Sequence, residues 1–263
     1  RRLTRVKATT AELVEFAPTV TLTGVIAAQV ETELSFRVGG KISERLVNVG
    51  DPVARNQLLA RLDPVEQEAE LESAKAGLQS ADAQLRQSTA SFERQKNLLT
   101  TGNTTRREHD QAEAAMRSAQ SQVDQARAQL ASAQDQLSYT ELRADADGIV
   151  TARAVEAGQV VSQAQAVYTV ARDGPRDAVF NVGEWALANV VMDKGLAISL
   201  VSDPAVATVG DVREISPAVN ASTMTITVKV GLRQTPPAMT LGSVVNGKGP
   251  MKQRKVFLLP WGA

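Results

Sequence analysis

Apolar positions along this chain follow two periods. Between residues 64 and 138 they recur every seven. Leu71, Leu78, Leu85, Phe92 and Leu99 form one row. Met116, Val123, Leu130 and Leu137 form another, beside a row of small residues, Ala112, Ala119, Ala126 and Ala133. Outside this stretch apolar and polar residues alternate, as in Thr19 to Ile26, Thr32 to Phe36 and Thr223 to Val230. Period two predicts half-buried strands, and a sustained period of seven predicts coiled-coil helix. The heptads are interrupted once, by Thr100-Thr-Gly-Asn-Thr-Thr105. The pattern therefore predicts helices over 64–100 and 106–138, each about 50 Å long, with a turn centred on Gly102. Asp63 is the expected N-cap of the first, with Pro64 at the first helical position and Glu66 closing a capping box. Thr105 and Glu108 predict a second capping box.

The pairing of the two helices follows from arithmetic. In an antiparallel hairpin centred on Gly102, facing residues have numbers that sum to 204. Phe92 then faces Ala112, Leu85 faces Ala119, Leu78 faces Ala126 and Leu71 faces Ala133. The alternate layer reverses the sizes, setting Ala74 against Leu130, Ala81 against Val123 and Ser88 against Met116. Large meets small in every layer, the signature of a close two-helix antiparallel coiled coil with a left-handed supercoil.

The hairpin interrupts an internal repeat. Gly40-Lys-Ile-Ser-Glu-Arg-Leu-Val-Asn-Val-Gly50, running on to Val53, Gln57 and Leu62, recurs 108 residues later. The second copy is Gly148-Ile-Val-Thr-Ala-Arg-Ala-Val-Glu-Ala-Gly158, running on to Val161, Gln165 and Val170. Glycine, arginine, valine, glycine, valine and glutamine are identical at matching positions, which predicts two half-motifs that fold together as one small β domain. After Asp173-Gly-Pro175 the chain returns to β character over 176–248, with a short helix expected within 182–191. Turns are expected at Pro236-Pro237 and at Gly247 to Pro250, and a last strand at Arg254 to Leu259.

Composition narrows the function. Lys+Arg and Asp+Glu are 29 each, so net charge gives no reason to expect nucleic acid as a partner. Without cysteine, disulfides and zinc-thiolate sites are excluded. The single histidine, His109, excludes His-rich metal sites and makes a Ser-His-Asp triad improbable; it reads as a packing residue near the tip, facing Gln95. Asp145 and Asp147 read as a polar turn ahead of Gly148 rather than as a catalytic or metal pair. The apolar residues fall short of the ~18–20 in succession that span a bilayer. No HExxH, GxSxG, Walker or GxGxxG motif occurs. The expectation is a protein without enzymatic activity, cofactor or metal.

Repeat, hairpin and following β segment together resemble the periplasmic adaptor (membrane fusion, HlyD-like) proteins of tripartite efflux pumps of the resistance-nodulation-division (RND) type. Leu34-Ser-Phe-Arg-Val-Gly-Gly40, Val49-Gly-Asp51 and Gln57-Leu-Leu-Ala-Arg-Leu-Asp63 are similar to that family's first lipoyl half. Leu142-Arg-Ala-Asp-Ala-Asp-Gly-Ile-Val150 and Glu156-Ala-Gly-Gln159 are similar to the second. Val212-Arg-Glu-Ile-Ser-Pro217 and Pro237-Ala-Met-Thr-Leu-Gly242 are similar to its barrel strands.

The resemblance implies a mostly β chain carrying a long antiparallel coiled-coil hairpin. Its parts would be a hairpin at 63–141, a split lipoyl (barrel-sandwich hybrid) domain at 34–62 and 142–172, a β-barrel at 19–33 and 173–249, and a partial membrane-proximal domain at 1–18 and 250–263. It implies an inner-membrane RND transporter and a TolC-like outer-membrane channel as partners, a ring of adaptors (usually six), and a periplasmic location with an inner-membrane anchor upstream of residue 1. The family's tip motif is Arg, Leu four on and Ser seven after that. Arg94 and Leu98 match, and Thr105 replaces the serine. From the residues alone, Arg94 is a solvated helix residue, Leu98 an apolar position beside the seam and Thr105 an N-cap; the resemblance makes them, with Gly102, the docking tip. Two other functions fit the same resemblance: an adaptor of an ABC-type exporter or type I secretion system, and a metal-efflux adaptor that binds ions. A true lipoyl carrier does not fit. The hairpin occupies the turn that would present its lysine, and neither Asp63 nor the 139–142 boundary offers one.

Overall fold

The computed structural model describes residues 13–191, 195–220 and 222–257. In chain order the elements are β1 (Leu13–Phe16), β2 (Thr19–Ala28), β3 (Glu31–Ser35), β4 (Gly40–Arg45), β5 (Pro52–Val53), β6 (Leu58–Leu62), α1 (Val65–Thr100) and α2 (Arg106–Ser138). There follow β7 (Glu141–Arg143), β8 (Gly148–Arg153), β9 (Val160–Val161), β10 (Ala166–Arg172), β11 (Arg176–Gly183), α3 (Glu184–Asn189), β12 (Leu196–Leu200), β13 (Ala207–Asn220), β14 (Thr225–Leu232), β15 (Val244–Pro250) and β16 (Arg254–Phe257). Thr32–Val170 form one compact unit, and the flanking stretches of chain form a second. Among the described residues no helix is long and apolar enough to cross a membrane.

In the first unit the sequence repeat is a repeat of structure. Two four-stranded sheets, β3-β10-β8-β5 and β7-β6-β4-β9, map onto each other under the 108-residue offset. Each half lends its short second strand to the other half's first. Gly40 and Lys41 pair with Val161 and Val160, as Gly148 and Ile149 pair with Val53 and Pro52. The turns repeat as well. Gly50 and Gly158 both have positive φ, +95° and +86°, and so do Asn56 and Ala164, at +66° and +62°. The side-chain oxygen of Gln57 accepts from the Ala54 N–H at 2.8 Å, and that of Gln165 from the Ser162 N–H at 3.0 Å. Identical glutamines are thus kept because each closes its own turn. The core between the sheets is built from both copies, including Phe36, Ile42, Leu59 and Leu62 from one and Val150, Val161, Val167 and Val170 from the other. Neither half buries enough alone, which is why the copies fold as a pair.

The second unit contains a closed six-stranded barrel, ordered β11-β14-β13-β12-β15-β2. Its inward residues alternate along the strands: Ala178, Phe180 and Val182 on β11, and Val228, Val230 and Leu232 on β14. Phe180 is the largest of these side chains, and glycine flanks it. A Cβ on Gly24 or Gly247 would lie 2.6 or 2.7 Å from its ring atoms. On β11 the carboxylate of Asp177, only 1% exposed, accepts from the Gln29 amide at 3.0 Å and from the Arg213 guanidinium. α3 follows β11, and its last two residues are held by side chains from beyond β15. Lys252 Nζ donates to the Ala188 carbonyl at 2.8 Å, and Arg254 to Asn189 Oδ1 at 2.8 Å. β1 and β16 form a separate two-stranded ribbon.

Two local expectations are corrected. Gly247 to Pro250 is not a turn but lies within β15, because Gly247 and Gly249 make room for Phe180 and Leu196 rather than for a reversal of the chain. The first helix begins at Val65 with Pro64 as its N-cap and has no capping box. Asp63 still contributes, since its Oδ1 accepts from the Val65 N–H at 3.3 Å. The short helix expected within 182–191 is α3. The expected last strand is β16 as far as Phe257, and its final two residues lie outside the described residues, as do 1–12 and 260–263 of the expected membrane-proximal part.

Candidate functional site

The hairpin is the element that leaves its domain without a covering layer, so its tip is the candidate site. α1 and α2 pack along the heptad rows. Ala119, Val123, Ala126 and Ala133 are buried on α2 and Ser88 on α1, while Leu71, Leu78, Leu85, Phe92 and Ala112 are half-buried. Two helices have solvent on both flanks. The small seam residues are closed off between them, while the long ones lie partly open. At the base, Leu62 donates its N–H to the Thr140 carbonyl at 2.8 Å, and Arg61 and Arg143 both reach Glu141, at 3.2 and 2.6 Å. Arg143 above all, by its hydrogen bond, holds the Glu141 carboxyl below the usual carboxylate range.

The tip is a fixed structure rather than a loose loop. α1 ends in a Schellman arrangement: Gly102 has φ +76°, the Asn103 N–H donates to the Leu98 carbonyl at 2.8 Å, and the Gly102 N–H to the Leu99 carbonyl at 3.2 Å. Two residues later α2 starts with the expected capping box. Glu108 donates its N–H to Thr105 Oγ1 at 3.3 Å, and its Oε2 accepts from the Thr105 N–H at 3.0 Å. Thr104 ties the halves together by donating to Gln95 Oε1 on α1, 2.8 Å away, and lies 2.7 Å from Glu108 Oε2. The Thr105 N–H first, and then the two threonine hydroxyls, hold the Glu108 carboxyl below its ordinary value. Sequence reading had no signal for Thr104; its role depends on the two helices being side by side.

Each predicted tip residue has a place in this frame. Arg94 and Leu98 lie one turn apart on α1 and are both exposed, Leu98 by 40%. Gly102 makes the turn, and Thr105 spends its hydroxyl on the cap. His109 packs its ring on Phe92, centroids 5.3 Å apart, while Gln95 binds Thr104. His109, Asp110 and Glu113 bring ligand-type atoms within 4.8 Å of one another. Local pairing accounts for them: His109 Nδ1 lies 3.2 Å from Asp110 Oδ1, and Glu113 is ion-paired with Arg117. Asp147 is in the turn expected of it, its Oδ1 accepting from the Arg55 N–H at 2.7 Å.

A hairpin inserted between two lipoyl-like half-motifs, in a chain that also closes a β-barrel, is the architecture of the membrane fusion proteins. Comparison with known proteins agrees. The family model described as RND MFP, alpha-helical hairpin domain, matches residues 70–140. The macrolide export protein MacA of Yersinia pestis is 29% identical over 215 residues, 75% of this chain and 58% of that protein. The multidrug resistance protein MdtE of Escherichia coli K12 is 30% identical over 145 residues, 54% of this chain and 38% of that protein. The crystal structure of MacA from Actinobacillus actinomycetemcomitans has the same fold, with a TM-score of 0.74 at 22% identity, over 95% of this chain and 83% of that one. The chain is similar to membrane fusion (adaptor) proteins, and its hairpin, over residues 70–140, matches the RND-type hairpin family model. It spans between 38% and 58% of the length of these two curated relatives.

Proposed function

We propose that this chain is a non-enzymatic periplasmic adaptor. It links an inner-membrane transporter of the RND type to a TolC-like outer-membrane channel and forms, in a ring of about six copies, part of a sealed export conduit for drugs or other small molecules. An anchor upstream of residue 1 ties it to the inner membrane. The observation that carries this reading is the tip: the seam residues are packed between the helices, whereas Arg94 and Leu98 are held outward on a rigid, doubly capped turn. An exposed leucine beside an exposed arginine on a fixed frame is suited to end-on contact with another protein. The barrel and the β1–β16 ribbon would contact the transporter, which supplies the energy.

The test is Arg94→Asp combined with Leu98→Ser. Both side chains are exposed, so the fold and melting temperature should stay as in the wild type. Export should fall to the level of a strain lacking the adaptor, read as the minimal inhibitory concentration of a panel of pump substrates. Unchanged resistance, with the variant present at normal levels, would sink the assignment of the tip.

A further inference from the structure

One charged side chain on the outer face of the barrel is buried. On β11 the inward residues are Ala178, Phe180 and Val182, so Asp177, Val179 and Asn181 face outward. Val179 is half-buried and Asn181 exposed, yet Asp177 is 1% exposed. Three features of the neighbouring chain converge on it. Arg213 is the extra residue of a β-bulge, where Val212 pairs with Val230 and Glu214 with Lys229, and bulges re-aim side chains. Its guanidinium reaches from β13 across β14 to β11, with Nε 3.1 Å from Asp177 Oδ2. β14 carries Gly231 opposite Asp177. A Cβ there would lie 3.6 Å from Gln29 Nε2, 3.7 Å from Asp177 Oδ1 and 3.9 Å from Arg213 Cβ. Gln29, the first residue after β2, donates its side-chain amide to Asp177 Oδ1 at 3.0 Å. A buried ion pair adds little stability over apolar side chains of the same size, so stability alone does not account for this convergence.

What the ion pair holds is Gln29, and Gln29 is where the chain leaves the barrel. Two connections run between the barrel strands and the strands of the first unit: Gln29-Val30 between β2 and β3, and Asp173-Gly174-Pro175 between β10 and β11. They are hydrogen-bonded to each other. The Gln29 N–H donates to the Pro175 carbonyl at 3.2 Å, and the Arg172 N–H to the Val30 carbonyl at 3.0 Å. Val30, Asp173, Gly174 and Pro175 are all exposed, so burial does not hold this pairing. We propose that Asp177 is the clamp of the two connections: oriented by Arg213, its carboxylate holds Gln29 and so keeps them paired where they meet the barrel. Releasing Gln29 opens the connections while the barrel strands stay in place. The clamp is independent of the role of the hairpin tip.

Hydrogen exchange of the purified full chain, followed amide by amide in NMR spectra, tests the clamp. Gln29→Ala leaves the ion pair of Asp177 with Arg213 in place. The amides at positions 29 and 172 should then exchange roughly tenfold faster than in the wild type, the effect of losing one hydrogen bond to a charged group. The amides that pair β11 with β14 should keep their wild-type rates. Gln29→Glu, which sets a second carboxylate beside Asp177, should speed the same two amides at least as much. Wild-type rates at both positions in Gln29→Ala would overturn the proposal. So would wild-type amides at 29 and 172 that already exchange like an open chain. Equal acceleration along β11 and β14 would overturn it as well, since Gln29 would then serve the fold of the whole barrel rather than the connections.

Discussion

Thr105 holds a place where the resembled motif has serine, and its hydroxyl is already committed to the Glu108 N–H. Its work in this chain is to set where α2 starts. Thr105→Ala removes the cap and should cost about 1 kcal/mol, whereas Thr105→Ser should be nearly neutral; melts followed by helical circular dichroism compare the two. Glu108 adds a pH dependence. Its carboxyl titrates below the ordinary carboxylate range because the Thr105 N–H and the two threonine hydroxyls favour the charged form. A depressed folded pKa stabilises above the unfolded pKa. The contribution is therefore complete above about pH 4.5 and disappears as pH falls through the folded value. In Thr105→Ala this acid limb should shrink.

The hairpin depends on the order of large and small residues along its seam. Ala119 is 3% exposed and lies in the layer where the heptad arithmetic sets it against Leu85. Ala119→Leu should overpack that layer and destabilise the hairpin by about 1–3 kcal/mol. Ala115, exposed on the same helix, gives the control: Ala115→Leu should leave the melting temperature unchanged. Equal melting temperatures for the two variants would refute the pairing. Both helices were legible in the sequence to within a residue at each end because heptads over four or five repeats leave one orientation that buries the apolar rows. The start of α1 was legible less well. Asp63-Pro64-Val65-Glu66 is compatible with a cap at either of the first two residues, and the path from β6 decides between them.

The split domain is a closed pair of half-motifs to which the hairpin is added. Its core contains no residue of α1 or α2, and the chain enters and leaves the hairpin between Leu62 and Thr140, which are hydrogen-bonded to each other. Replacing residues 65–138 by a four-residue turn should therefore leave the lipoyl-like sheets folded, with dispersed amide resonances in NMR spectra. A collapsed or unfolded spectrum would mean that the hairpin is needed to hold the halves together. The same topology explains why the repeat survives with few identities. Gly50, Gly158 and the two repeated glutamines serve turn geometry, while the strands need only keep an apolar face inward, which several aliphatic residues can do.

Much of this chain could be read without coordinates. Heptads, alternation, the 108-residue repeat and the Gly102 turn are local or periodic signals, and each follows from the need to bury one face of a helix or strand. The glycines of the barrel carry no such local signal. Gly247 and Gly249 look like a turn in the sequence and become part of a strand, because Phe180 and Leu196, distant along the chain, occupy the space where their side chains would be. Burial of Asp177 beneath Gln29 and Arg213 is likewise invisible until β11 and β13 meet β14 from opposite sides. Periodicity specifies which face of an element is buried. Only the closed packing of distant segments specifies what that face meets.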